Sequence, residues 1–430
     1  MTKKTRFFLF LVCFLLFVLI APTAILYSQG YRFDFQNKKL TQTGGLFLKV
    51  LPKRVDVYLN NNFTKKTDFF FGSVLIQNLL PKEYTITLKK EGYHSWEKTL
   101  KIEKKKVTEA KSIILFPENI NFQIVAEKVK NIWFPSTQNY LIVQEDNETG
   151  WSLKYLDDKI KSLLVKESNF STNSADLINL ELSEKDQKIY LTIKTKEKNK
   201  DKIKYFVLEN INTTQPNLSE ITSLPQTQPT SSLAYQVINN DEYLLDKSGQ
   251  LFKNKQKLTS TPFPIETGTS SYELKIFSDF IFLKQDHTLF KFNNDLKAFE
   301  KFATDINFLK IAPDNKKLAL ASNNELWLLF LDEMTEPVKK TKGEKLFLTR
   351  LMDKITDVFW LNNDYLVFIA GDKIKIVEID ERDKFNLIDL FETKNLPTTG
   401  GETKMFWNTN NKKIYLWTKD NLFISDLPLF

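Results

Sequence analysis

Cysteine, histidine and glycine are scarce in this 430-residue chain, with one Cys, two His and twelve Gly. A lone thiol, Cys13, excludes any intramolecular disulfide. Two imidazoles, His94 and His287, leave little material for metal or nucleophilic chemistry. Zinc needs three or four His, Cys, Asp or Glu ligands, and no such cluster stands in the sequence. Nucleophilic catalysis needs a base beside a Ser or Cys. His287 in "LKQDHTLF" and His94 in "GYHSW" each read as residues at or after a turn, without a partner constellation. There is no G-x-S-x-G elbow, and no H-E-x-x-H, phosphate-binding loop or G-x-G-x-x-G. "DNKK" at 314–317 and "NNDY" at 362–365 lack the spacing of a calcium loop. No catalytic, cofactor-binding or metal-ligating residue is therefore assigned, and no cofactor is expected. Paired carboxylates brought together from distant segments are the one catalytic device left open.

Charge of one sign is also missing over any long run. The formal charge is +8, but 61 basic and 53 acidic residues are interspersed. "KIEKKK" (101–106) and "KTKEKNKDKIK" (194–204) are interrupted by Glu and Asp, as on a solvated lysine-rich surface. Attraction to anionic lipid or wall polymer is the sharper reading. With no recognised nucleic-acid-reading motif, nucleic acid is not expected as a partner.

What the chain does have begins at the N-terminus. Phe7 to Leu26 contains no charged residue, and Lys3, Lys4 and Arg6 precede it. Such a helix, about 30 Å long, matches a bilayer core. Residues 1–30 read as a cytoplasmic stub and an uncleaved transmembrane signal anchor, the cell membrane being met through residues 7–26. The alternative is cleavage after Ser28-Gln29-Gly30. Residues 31–43 are expected to be a linker. All that follows should lie outside the membrane, single-pass and extracytoplasmic.

Residues 44–116 alternate apolar and polar positions. Leu46, Leu48 and Val50 share one face; Val55, Val57 and Leu59 share another; Tyr84, Ile86 and Leu88 repeat the pattern. Period two predicts five to six half-buried antiparallel strands, with turns at Pro52, Asn60-Asn61-Asn62, Pro81 and Glu91-Gly92. The phrases "GGLFLKVLPKRVDVYLNN", "NLLPKEYTITLKKEGYHSW" and "KTLKI" resemble the PEGA domain, a small β-sandwich module common on extracytoplasmic microbial proteins. Pro52-Lys53-Arg54-Val55 stands where the naming tetrad has its Gly and Ala, and Lys82 stands where a Gly often precedes Glu-Tyr. The resemblance implies a binding or spacer module. Tyr93 and Trp96 are expected to pack in the core or at an edge; a carbohydrate-stacking platform would need them exposed.

From residue 120 a unit recurs: entering strand, polar turn, apolar strand, polar turn, apolar strand. It is plainest in "IAPDNKKLALASNNELWLLFL" (311–331). Seven copies place their first turns near Pro135, Ser183, Asn239, Ser278, Pro313, Asn362 and Asn408. The middle strands, such as "LWLLFL" and "YLVFI", are apolar at every position. Strands of this kind are buried on both faces, as in the blades of a β-propeller. The region resembles WD40-like or TolB-like propellers through 311–331, without the Trp-Asp ending or Gly-His pair of a strict WD40 repeat. The fold class is therefore all-β: an N-terminal transmembrane helix, a small PEGA-like sandwich over 44–116, and a propeller over 120–430, with seven blades preferred over six or eight. The last copy shows three strands, and "INFQIVAEKV" (120–129) is expected to complete it and close the ring. The Ser/Thr/Pro/Gln-rich stretch 212–232 reads as a surface loop, an interblade connection or a lid.

These elements together predict a membrane-anchored extracytoplasmic binding or scaffold protein without catalysis. It would recognise an envelope protein or a polysaccharide through propeller loops. The alternative is an anchored hydrolase or lyase, for which three or more acidic side chains should meet at the propeller axis.

Overall fold

The computed structural model describes residues 3–430 except 136–138, 158–160, 172–173, 184–186, 198–199, 214, 226–228, 230–231, 267, 269 and 398–402. One helix, Lys3–Ser28, opens the chain and buries none of its residues against the rest of the protein. Its 26 residues are long and apolar enough to cross a membrane. At its end the Arg32 guanidinium stacks 3.4 Å from the Tyr27 ring and donates to the Tyr27 carbonyl and to Asn78 Oδ1. The segment 31–43, expected as a linker, instead folds into a hairpin of Tyr31–Asp34 and Lys39–Gln42. Its inward face carries Asp34 and Thr41, both buried. Two short strands with this polar alternation gave too weak an apolar period to register as sheet.

Seven strands make the small β-domain, in two facing sheets. One has the order Ser73–Leu79, Gly44–Leu51, Val107–Ile114; the other Asn62–Lys66, Asp56–Leu59, Glu83–Lys89, Trp96–Lys101. The alternating residues Leu46, Leu48, Val50, Val55, Val57, Ile86 and Leu88 are fully buried between them. The strand beyond the expected count, Asn62–Lys66, is almost wholly exposed and so shows no apolar face. It is joined to its neighbour by Asn60 and Asn61 at φ 48° and 66°, the left-handed pair of a tight hairpin. Gly44 is required by close approach: a Cβ there would lie 2.2 Å from the Glu103 carbonyl.

Seven four-stranded sheets form the propeller blades. In chain order they occupy 129–166, 175–221, 232–257, 272–303, 308–350, 355–392 and 404–425. First strands touch one another between blades three and four, five and six, and six and seven, which places the first strands innermost. The seventh blade takes its outer strand from Phe122–Ala126, which runs antiparallel to Asn421–Ser425 with Phe122 opposite Ser425. The closing strand expected from 120–129 is thus in place. All four strands of each blade pair antiparallel, yet only three per copy were legible. The outermost strands, such as Ala298–Ala303 and Leu387–Glu392, face water on one side and lack the continuous apolar run. One of them corrects the reading of 212–232: Asn217–Ile221 is the outer strand of the second blade, paired with Lys200–Glu209. Of the remainder of that stretch, 214, 226–228 and 230–231 lie outside the described residues.

The two-sided burial is visible position by position. Every residue of Lys317–Ala321 and of Tyr365–Ala370 is buried. Neighbouring residues of one strand feed opposite layers: Leu328 packs between blades five and six, Leu329 between blades four and five. Six of the seven blade junctions hold such an apolar layer. Among the described residues none spans the junction of blades two and three. There Asp241–Asp246 alternates, with Tyr243 and Leu245 buried toward blade four and Glu242 exposed. Thr192 on blade two is buried, flanked by half-buried Tyr190 and Lys194. The expectation of strands apolar on both faces therefore fails in blade three, whose second face meets a polar neighbour.

Leu328→Ala and Leu329→Ala should each lower stability by about 2–5 kcal/mol in chemical denaturation. In a sheet packed on one side only, one of two consecutive residues would be near-neutral; that outcome would contradict the blade stacking.

Candidate binding cleft between the small domain and blade six

The strand Trp96–Lys101 buries alternate positions: Trp96, Lys98 and Leu100. A lysine on that face is completely enclosed, at 0% exposure. A buried ammonium must be met by charge and hydrogen bonds. Both come from blade six, at the end of its third strand, Lys373–Glu378, and in the connection that follows. Lys98 Nζ donates to the Asp380 carbonyl at 2.6 Å and lies 3.2 Å from Glu378 Oε2 and 3.8 Å from Asp380 Oδ2. Trp96 Nε1 donates to the same Glu378 oxygen at 3.1 Å, and Asn386 Nδ2 at 2.7 Å. Burial pushes the Glu378 carboxyl above its ordinary range despite Lys98. Burial also acts upward on Asp380, but the Arg382 hydrogen bonds and the Lys98 charge outweigh it and hold that carboxyl low.

Further bonds extend the joint along the strand. Thr99 N donates to Asp383 Oδ2 at 2.7 Å, and Lys384 pairs with Glu97 at 3.0 Å. Ile114 N donates to the buried Tyr365 hydroxyl at 3.1 Å, while the Tyr365 and Phe116 rings meet edge to face at 5.4 Å. Ile114, Phe116 and Ile120 then run into the apolar layer between blades six and seven. The small domain is thus held to the propeller by one apolar seam and one buried charge cluster.

Beside this joint a cleft of about 710 Å³ opens. The small domain contributes the stretch around Val107–Ile113, and the propeller contributes Met334–Val338 and Glu378–Arg382. Backbone bonds between Met334 and Lys340 in both directions shape the far wall. Lys340 Nζ braces it, reaching Glu344 at 2.7 Å and Glu381 at 2.8 Å. Asp364 also lines the cleft; burial pushes its carboxyl up, against a Ser112 hydrogen bond and the Lys317 charge. Among the described residues it forms no ion pair.

The residues singled out in the sequence fall elsewhere. Trp96 is buried and Tyr93 half-buried, so they form no exposed stacking platform. His94 is half-buried, its amide donating to the Phe116 carbonyl. His287 follows Asp286 in the turn between Phe280–Gln285 and Thr288–Asn293. On the innermost strands the exposed charges are mixed: Lys130, Asp176, Glu273, Lys310 and Lys404. Half-buried Asp357 there is engaged with backbone, accepting from Met405 N at 2.9 Å. Among the described residues no three His, Cys, Asp or Glu side chains gather as a metal site would need. The carboxylates collect instead at the joint, where Lys98 and Arg382 neutralise them. Lys98 itself was missed. The available signal was its spacing in "WEKTLK", which places it on the face of Trp96 and Leu100.

No protein-family model matches the chain, and no curated protein does. Among solved structures it is similar to a streptogramin B lyase, at 12% identity and TM-score 0.41, over 72% of this chain and 98% of that one. It is also similar to YCF48 from Cyanidioschyzon merolae, at 10% identity and TM-score 0.39, over 71% and 98%. A YCF48 bound to D1 peptide gives 10% identity and TM-score 0.39, over 72% and 95%.

Lys98→Ala should destabilise the protein by about 3–5 kcal/mol near neutral pH, because it strands the buried Glu378 without its counter-charge, while Asp380 keeps Arg382. A carboxyl whose folded pKa is raised is destabilising where it must ionise, above that pKa. The penalty should therefore shrink as pH falls toward and through the ordinary Glu range near 4.5. Denaturation at several pH values checks this; a loss independent of pH would contradict the charge assignment.

Proposed function

We propose that the chain is a membrane-anchored binding protein whose bulk stands outside the cytoplasm, with the cleft between small domain and propeller as its recognition site. The observation that carries the reading is the cleft itself, a cavity of about 710 Å³ held open by a buried charge cluster that welds its two walls. Concave sites of this size are where ligands bind by default, and this one joins an apolar propeller wall to a rim of charged side chains. The apolar helix, with no side chain buried against the protein, supports membrane attachment. Lys3, Lys4 and Arg6 on its N-terminal side support a cytoplasmic N-terminus. In this reading residues 1–30 are the anchor, the hairpin and the PEGA-like domain hold the propeller off the membrane, and an envelope protein or polysaccharide is the partner. The site thus sits at the joint, and the propeller loops expected from sequence to meet the ligand are supporting walls.

The sole thiol makes orientation testable. In Lys247→Cys, on an exposed turn of blade three, a membrane-impermeant maleimide applied to intact cells should label the protein. The parent chain, whose Cys13 lies within the apolar helix, should stay unlabelled. Labelling only after permeabilisation would overturn the orientation.

A further inference from the structure

The small-domain wall of the cleft is a strand with one free edge. Val107–Ile114 pairs only with Gly44–Leu51, in parallel register. The Lys106 carbonyl accepts from Gly45 N at 2.9 Å, so the two-residue period of the strand turns the backbone groups of Val107 and Glu109 the other way, up to the bulge that follows Ala110. Arg382 Nη1, 2.8 Å from the Glu109 carbonyl, marks that direction. Val107 and Glu109 both line the cleft. An unpaired edge is a template for another strand; here it is set inside a cavity with no strand beside it, Arg382 capping the Glu109 carbonyl and leaving the Glu109 amide.

Phe330, Met334, Pro337, Val338, Leu346 and Ile379 give the propeller side an apolar lining. Seven carboxylates and five basic side chains border the cleft, in a chain whose overall charge is +8. Glu103, Glu109, Glu378, Asp380 and Glu381 are ion-paired with Lys106, Lys111, Lys98, Arg382 and Lys340. That leaves Glu336 and Asp364 as the lining carboxylates without an ion pair among the described residues, the Lys317 charge acting on Asp364. Trp96, the aromatic that could have stacked on a sugar, is buried.

We propose that the cleft binds an extended peptide carrying lysine or arginine, which adds as a strand to the free edge of Val107–Ile114. Main-chain bonds to Val107 and to the Glu109 amide supply affinity, and alternate side chains of the peptide supply specificity. Those turned to the propeller meet the apolar lining; the basic ones meet Glu336 and Asp364. The proposal rests on the reading above, that this chain binds a partner at the cleft.

The test uses the full chain in detergent micelles and fluorescence anisotropy with three short Thr/Val peptides. One carries two lysines, one carries two glutamates in their place, and one is the lysine peptide N-methylated at alternate amides. The lysine peptide should bind about tenfold or more tightly than either of the others, a difference of about 1.4 kcal/mol. Glu109→Pro, a change edge strands tolerate, should weaken the lysine peptide about tenfold, and Asp364→Asn should narrow its advantage over the glutamate peptide. The methylated peptide decides the question of strand pairing without any variant. Absence of lysine-peptide binding, equal binding of all three, or displacement of the lysine peptide by a wall oligosaccharide would overturn the proposal. A maleimide result placing the propeller in the cytoplasm would sink the outward orientation while leaving the peptide result standing.

Discussion

Central strands with no face left for water are the constraint on which the propeller depends. Leu328 and Leu329 are adjacent in sequence, yet each fills a different layer between blades. Such a strand can be stable only with a neighbour on both sides, which a row of sheets achieves by closing into a ring. The last blade therefore cannot end at its own three strands, and Phe122–Ala126 supplies the fourth. That loan ties the start of the propeller to its end. It also fixes where the small domain must leave the ring, beside blades six and seven.

The joint is a different kind of contact. Apolar residues alone, Ile114 through Ile120, would hold the two units together without choosing an angle. Lys98 adds direction, because a buried ammonium has to sit where Glu378 and Asp380 can meet it. Buried ion pairs add little net stability and are best understood as selecting one geometry over its alternatives. Here the geometry selected leaves a cavity between a strand edge and an apolar wall, and a binding reading follows from that placement.

Sequence exposed the fold where burial is periodic and concealed it where burial is one-sided or polar. The runs at 317–321 and 365–370 announce themselves because every position is apolar or enclosed. Outer strands such as Leu387–Glu392 have no such run, and Asn217–Ile221 was hidden in a stretch whose composition resembles a loop. The polar junction of blades two and three was hinted at by the alternation of "DEYLLD". The cleft was scarcely legible: "EIDERD" at 378–383 reads as solvated surface, and only the fold brings it against Lys98, from which it is separated by some 280 positions.

The central claim is that the small domain and the propeller form one body with the cleft held open between them. Spin labels at Lys104→Cys and Lys255→Cys, in a Cys13→Ala background, report on it directly through their distance distribution. A single narrow distance, unchanged by moderate salt because the joint charges are buried, is the predicted result. A broad or multimodal distribution would show two domains moving independently, with no lasting cleft for a ligand to find.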